Sequence, residues 1–265
     1  MTKQLLIYNT AVPISRARHF DCHLEPSPSF AFSRDINSAP LTAVEFPQAM
    51  NEYPIVFAGN PGELTPVVIL GLRADENLFL SPDGAWNAKY IPAFVRRYPF
   101  VFSLSGDRFL LCVDEEFPGF NRQGRGQPFF GEDGEMSPFV GNVLKFVQEY
   151  QAQFRRTQRF CARIEELGLL EPMQAQITIE GGRSTRLSGF LAVNREKLKA
   201  LPGEVLSELA ATDELELLYM HLHSMNNFEA LKDLLAASPA PAAQLDPAPA
   251  TAMVDETVPE PAVVH

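Results

Sequence analysis

The residue types best able to do chemistry crowd into residues 71–100. Arg73, Trp86, Asn87, Lys89, Tyr90, Arg96, Arg97 and Tyr98 all fall in that stretch. Guanidinium forks and aromatic rings together can hold an anion by paired hydrogen bonds and a flat ligand by stacking. Neighbouring helical residues diverge by about 100°, so at most one of Arg96 and Arg97 faces a pocket shared with Tyr90 or Phe94. A structural role fits the same residues: Trp86 and Tyr90 pack the core, one arginine meets a buried carboxylate and the other stays in solvent. Asp114, at the end of an apolar run, joins Arg73, Trp86, Tyr90, Arg96, Arg97 and Tyr98 as a ligand- or partner-binding candidate.

Metal chemistry has weaker candidates. His19-Phe20-Asp21 matches the start of a two-histidine, one-carboxylate iron pattern, with His221 or His223 as the distal ligand. In jelly-roll oxygenases several strands precede that motif, whereas His19 lies near the start of this sequence. His19 and His23 are four apart, a spacing that can hold zinc on a helix, but Pro26 and Pro28 crowd the segment and no third ligand follows. No metal and no cofactor is expected. His221 and His223 fall in a helical pattern, so their rings point to different faces, one packed and one exposed.

Other reactions find no assembled set. Gly119-x-x-x-x-Gly124-x-Gly126 lacks the Gly-Lys-Ser/Thr ending of a phosphate loop, and Asp114, Glu115 and Glu116 beside it repel phosphate. It reads as a surface loop whose Arg122 and Arg125 can meet a partner. No Gly-x-Ser-x-Gly elbow occurs. Cys112 in an apolar strand and Cys161 on a helix stripe read as packing residues. Arg155, Arg156, Arg159 and Arg163 form a basic run, with 155, 159 and 163 on one helix face. It is either a solvated face balanced by Glu165 and Glu166 or a docking face for an acidic partner.

These residues must be positioned by the rest of the chain. The 265 residues include 46% hydrophobic ones, enough for a packed core, and carry a formal charge of −11. That acidity excludes wholesale coating of nucleic acid. Residues 236–265 hold nine Ala, six Pro, four acids and no Lys or Arg, so they read as a disordered tail, leaving −7 on residues 1–235. Three cysteines are too few for a disulfide scaffold. The first residues contain only a four-residue apolar run, too short for a secretory signal, and no run reaches the roughly 18–20 residues of a membrane span. The expectation is a soluble cytoplasmic protein with one domain over residues 1–235.

Strands are expected at residues 5–8, 53–57, 65–72 and 77–80, with a hairpin at 100–104 and 109–113. Residues 88–97 read as a helix with Pro92 in its first turn. Ser137-Pro138 is an N-cap and first helical position, and apolar residues from Val140 to Leu167 recur at three- and four-residue steps until Gly168. A second hairpin is expected at 174–180 and 186–193, then helices at about 195–201, 204–209, 213–223 and 227–236. Strands dominate the first half and helices the second, which predicts an α+β fold with a largely antiparallel sheet in the N-terminal half.

Several pieces, in order, resemble the SapC family of bacterial proteins. They are Tyr53-Pro54-Ile55-Val56-Phe57, Gly71-Leu72-Arg73, Asn77-Leu78-Phe79, Gly84-x-Trp86 and Tyr90-Ile91-Pro92-Ala93-x-x-Arg96-Arg97-Tyr98-Pro99-Phe100. Leu111-Cys112-Val113-Asp114, Phe130-x-x-Asp133-Gly134, Leu187-x-Gly189-Phe190, Val193-Asn194-x-x-Lys197-Leu198 and Tyr219-x-His221-Leu222-x-Ser224 follow. The similarity spans about residues 5–235. It implies a bacterial protein connected with a surface layer, with export, or with modification systems that contain oxygenases and flavin-dependent halogenases. It transfers no catalytic residue. A permease label carried by some relatives conflicts with a chain that has no spanning segment.

Two functions are carried forward. The first is a non-catalytic accessory protein that binds a partner protein or a small anionic or aromatic ligand, but not nucleic acid. The alternative is an enzyme or enzyme subunit working with oxygenases or halogenases. A pocket joining His19, Asp21, Arg96 and Asp114 would favour the enzyme.

Overall fold

The computed structural model describes residues 6–105, 108–178, 184–238 and 248–249. In chain order the strands are β1 (Ala11–Pro13), β2 (His23–Leu24), β3 (Ser38–Pro40), β4 (Ile55–Ala58), β5 (Thr65–Ile69), β6 (Phe100–Ser105) and β7 (Arg108–Asp114). They continue with β8 (Phe120–Asn121), β9 (Gln127–Pro128), β10 (Leu170–Thr178), β11 (Ser184–Val193) and β12 (Ala248–Pro249). The helices are α1 (Arg16–His19), α2 (Phe46–Ala49), α3 (Ala93–Arg96), α4 (Pro138–Glu166), α5 (Arg195–Lys199), α6 (Gly203–Ala211), α7 (Glu214–Ser224) and α8 (Asn227–Ala237).

The principal sheet runs β10-β11-β4-β5-β3, with β12 beside β11. A second sheet is β1-β7-β6 and a third is β8-β2-β9. Every described ladder is antiparallel except β11 with β12, so the expected α+β class with antiparallel sheets and a helical C-terminal region is what the chain adopts. All residues of β4 and β5 are buried, which matches their unbroken apolar runs rather than an alternating pattern.

Helix α4 ties the structure together, and its sequence signals explain its ends. Ser137 Oγ accepts the Val140 N–H and Pro138 occupies the first turn. At the other end Gly168 takes φ 65°, and the Gly168 N–H donates to Glu165 O while the Leu169 N–H donates to Ile164 O. That pair of bonds is a Schellman stop, which a glycine in the left-handed region permits. Val140 and Val147 lie in a smaller apolar cluster with Cys22, Phe100, Val113 and Phe129. Phe154, Phe160 and Ile164 lie in the larger cluster built on β3–β5 and the C-terminal helices. Each such buried side chain contributes about 1.5–3 kcal/mol relative to exposure.

Three local expectations differ from the structure. Among the described residues the first strand is β1; of the strand expected at 5–8, residue 5 lies outside the described residues and 6–8 form no ladder, and the Asn9 and Thr10 N–H groups that follow donate to the Asp114 carboxylate. Residues 77–80 make only a Leu80–Trp86 bridge, since Asn77 Oδ1 accepts the Phe79 N–H. The helix expected over 88–97 is a single turn, α3. The Lys89 and Tyr90 N–H groups donate to the two oxygens of Glu52, which holds the preceding segment extended. Both expected hairpins form, as β6–β7 and a longer β10–β11, while the turn at Gly181-Gly182 lies outside the described residues. Of the tail, Ala236 and Ala237 end α8 and Ala248–Pro249 pair with β11, and its remaining residues other than Ser238 lie outside the described ones.

Candidate functional site

The 71–100 block begins where the backbone passes close to itself. A Cβ on Gly71 would lie 1.9 Å from Glu76 O, so no side chain fits there. Arg73 Nη1 donates to Glu76 Oε1 at 3.0 Å, and burial pushes the Glu76 carboxyl above its ordinary value against the pull of Arg73. Trp86 Nε1 donates to Tyr53 Oη at 2.9 Å, and the Tyr53 hydroxyl donates to the Tyr90 carbonyl. Tyr90 Oη donates to Glu45 Oε1 at 2.7 Å, and the Ala93 N–H reaches the same oxygen at 2.7 Å. The second oxygen of Glu45 accepts the Thr42 N–H at 2.8 Å and the Thr42 hydroxyl at 2.7 Å. Glu45 is therefore a buried carboxylate met by four donors, the way a buried charge is held without a cation. Burial, then the Glu45 charge beside it, raises the Tyr90 phenol.

Arg96 and Arg97 diverge as helical neighbours must. Arg96 is exposed, donates through Nε to Ile91 O at 2.9 Å, and lies over the Tyr90 and Phe146 rings. Arg97 is buried, with Cζ 4.7 Å from the Phe94 centroid, 4.7 Å from Tyr150 and 5.9 Å from Tyr8. It hydrogen-bonds Tyr8, whose own hydroxyl donates to Phe100 O at 2.7 Å. Burial pushes the Tyr8 phenol up to about 12 even against the Arg97 charge. Tyr98 stacks on Phe32 at 4.1 Å, and its hydroxyl lies 3.4 Å from Asp114 Oδ2. Asp114 is fully buried and accepts the N–H groups of Asn9 (2.7 Å), Thr10 (3.1 Å) and Glu116 (3.1 Å). The block thus forms two internal networks, one on Glu45 and one joining Tyr8, Arg97, Tyr98 and Asp114. Glu45, Tyr53 and Tyr8 were missed from sequence, although Thr42-x-x-Glu45 is a capping-box pattern that pointed to the first.

The metal candidates do not converge. His19 is buried between Phe120 and Phe129, and burial lowers its pKa. Its Nε2 lies 3.2 Å from Glu115 Oε1. Glu115 is also gripped by Arg18, through Nε at 2.7 Å and Nη2 at 2.6 Å, which holds its carboxyl below the ordinary value. Asp21 pairs with Arg122, and His23 Nδ1 faces Asp21 O at 3.2 Å. Among the described residues no group of three or more His, Cys, Asp or Glu is placed to hold a metal ion. Cys22, Cys112 and Cys161 are buried free thiols, and burial pushes Cys112 up to about 11.

His221 and His223 divide as expected into one packed and one exposed ring, and the packed one, His221, has a task in the sheet. Strands β4 and β11 pair at Phe57–Leu191. One step along the same register, Ile55 and Val193 are held apart by a side chain. The His221 Nδ1 proton is donated to Ile55 O at 2.7 Å, and Nε2 accepts the Val193 N–H at 3.0 Å. Ser224 Oγ accepts the Ile55 N–H at 3.0 Å and donates to His221 O at 2.7 Å. Two side chains of α7 thus replace a rung of the sheet. His223 is exposed.

Among the described residues, Asp21, Arg96 and Asp114 are engaged by the separate partners given above, and no hydrogen bond or ion pair joins them or His19 to one another. A cavity of about 360 Å³ lies elsewhere, between β10 and α8, with Met173, Ala175, Phe190, Met225 and Phe228 among its walls. On α4, Arg163 pairs with Glu208 at 2.6 Å and Glu214 at 3.4 Å rather than with Glu165 or Glu166. Arg155, Arg156 and Arg159 are exposed and have no carboxylate within 4 Å among the described residues. Arg155 Cζ lies 5.2 Å over the exposed Phe109 ring. No helix among the described residues is long and apolar enough to cross a membrane.

Comparison with protein families matches the SapC model over residues 14–231, most of the chain. The chain belongs to the SapC family. No curated protein and no solved structure matches it. The matched span of this SapC protein takes in the Glu45 network, the Arg97, Tyr98 and Asp114 part of the other, the His221 rung and the arginine face of α4, while Tyr8 precedes it.

Proposed function

We propose that this SapC protein is a non-catalytic accessory protein of a bacterial surface-layer, export or modification system, and that it works by docking on a partner protein. The observation that carries the reading is the solvent face of α4, where Arg155, Arg156 and Arg159 sit beside the exposed ring of Phe109. The remaining candidates support it by their internal commitments: Tyr90, Arg97, Tyr98 and Asp114 bind the protein's own backbone and side chains. The reading places the protein in the cytoplasm, where three buried free thiols stay reduced. Affinity capture from the native bacterium tests it, with the wild type and an R155E/R156E/R159E variant as parallel baits. A specific protein is expected with the wild type at physiological salt and is expected to be lost from the variant. Equal recovery by both baits, or nothing specific with either, counts against docking through α4.

A further inference from the structure

We infer that the α4 face recognises a short acidic segment of its partner, two or three carboxylates flanking an apolar or aromatic side chain; this rests on the docking reading above. Arg155, Arg159 and Arg163 follow one another at four-residue steps, about 6 Å apart along the helix. Arg163 shows how carboxylates engage this row, because Glu208 and Glu214 both reach it. Arg155 and Arg159, with Arg156 on the adjacent row, present the same chemistry without an acid among the described residues. Three guanidinium groups this close repel one another, and a partner's carboxylates relieve that repulsion.

The aromatic contact gives the surface its selectivity. Phe109 is 41% exposed and rests on Phe102, with ring centroids 5.6 Å apart. The Arg155 Cζ lies 5.2 Å over that ring, a contact a guanidinium can keep while its N–H groups fork onto a carboxylate. The uncovered part of the Phe109 ring is a seat for an apolar side chain next to the acid. An extended polyanion fits less well. The patch is three residues wide on a chain of charge −11, so a nucleic acid or an anionic membrane would run onto repelling surface.

The test titrates the full-length protein with a fluorescein-labelled peptide of four glutamates around one phenylalanine, followed by anisotropy. Saturable binding is expected. It should weaken about tenfold in R155E/R156E/R159E and fall steeply as salt rises. Phe109→Ala should weaken it severalfold without changing the salt dependence. All these side chains are exposed, so unchanged thermal unfolding of each variant is required alongside. Equal binding by the wild type and the triple variant overturns the inference. So does tighter binding of heparin or of phosphatidylserine vesicles through the same arginines. If the captured partner is lost from the triple variant while the peptide binds both proteins alike, the acidic chemistry fails and docking through α4 stands. If capture is unchanged, the docking reading itself fails.

Discussion

The His221 rung makes a quantitative prediction. The imidazole is fully buried, with one nitrogen donating to Ile55 O and the other accepting from Val193 N–H, so the fold holds the neutral ring in one tautomer. Protonation would place a second N–H against the Val193 N–H. Burial, opposed by the Ile55 carbonyl, lowers the pKa from 6.5 to about 4. The folded value lies below the unfolded one, so protons favour the unfolded chain. Above about pH 6.5 neither state binds the proton and His221 contributes no pH dependence. Between pH 6.5 and about 4 the unfolded chain gains a proton that the folded chain refuses, and stability falls by about 1.4 kcal/mol per pH unit. Across the window the loss is about 3 kcal/mol, a large share of the 5–15 kcal/mol typical of a domain. Urea unfolding followed by circular dichroism at a series of pH values, for the wild type and His221→Gln, isolates this contribution. His19, also buried and lowered, titrates in both proteins and cancels in the difference. The variant is expected to lose the His221 share of the acid-side slope, about 1.4 kcal/mol per pH unit between pH 6.5 and about 4. His221→Ala, which opens both backbone groups, should cost about 3–5 kcal/mol at neutral pH. Parallel pH slopes for wild type and His221→Gln would refute the neutral-ring argument. A cost below about 1 kcal/mol for His221→Ala would mean that β4 and β11 close directly on each other.

The two arginines of the block should behave oppositely. Arg97→Ala removes a buried cation from between three rings and should destabilise by several kcal/mol or prevent accumulation, whereas Arg96→Ala should unfold within about 1 kcal/mol of wild type. Similar thermal midpoints for the two would contradict the burial difference. Glu45→Gln presents an amide N–H₂ to a site ringed by donors and should cost about 2–3 kcal/mol, while Tyr90→Phe, which leaves three of the four donors in place, should cost about 1 kcal/mol. Chemical denaturation of both variants checks the order, and a reversed order would mean that Glu45 does not depend on its donors.

What was legible in the sequence was whatever local signals decide. Ser137-Pro138, the apolar steps of α4 and Gly168 fixed that helix at both ends. The hairpins followed from apolar runs around short glycine-containing turns. What was not legible depended on carboxylates distant in sequence. Nothing near residue 88 announces that Glu52 will take the N–H groups of Lys89 and Tyr90 and reduce a helix to one turn. Nothing near residue 9 announces Asp114, about a hundred residues on. The block was found by residue type, but its division into two networks turns on Glu45, whose one local signal is the Thr42-x-x-Glu45 capping box, and on Tyr8, which carries none. The pattern around His221 was visible, yet its use as a sheet rung depends on how far β4 and β11 diverge beyond Phe57–Leu191, a tertiary fact.

The pieces that carry the family resemblance and the surface proposed for docking are different residues. Tyr90, Ala93, Arg97, Tyr98 and Asp114 join separate parts of the chain through buried carboxylates and rings, and His221 with Ser224 joins two strands. These joints are stringent. Removing one partner leaves a buried charge or backbone group unsatisfied, so little substitution is tolerated there. Arg155, Arg156, Arg159 and Phe109 lie outside every one of those pieces and face solvent, where substitution costs the fold little. A SapC protein can therefore keep the same interior while changing what this face of α4 meets. Membership of the family then accounts for the scaffold, and the docking proposed above depends on a few exposed side chains on one helix and the adjoining hairpin.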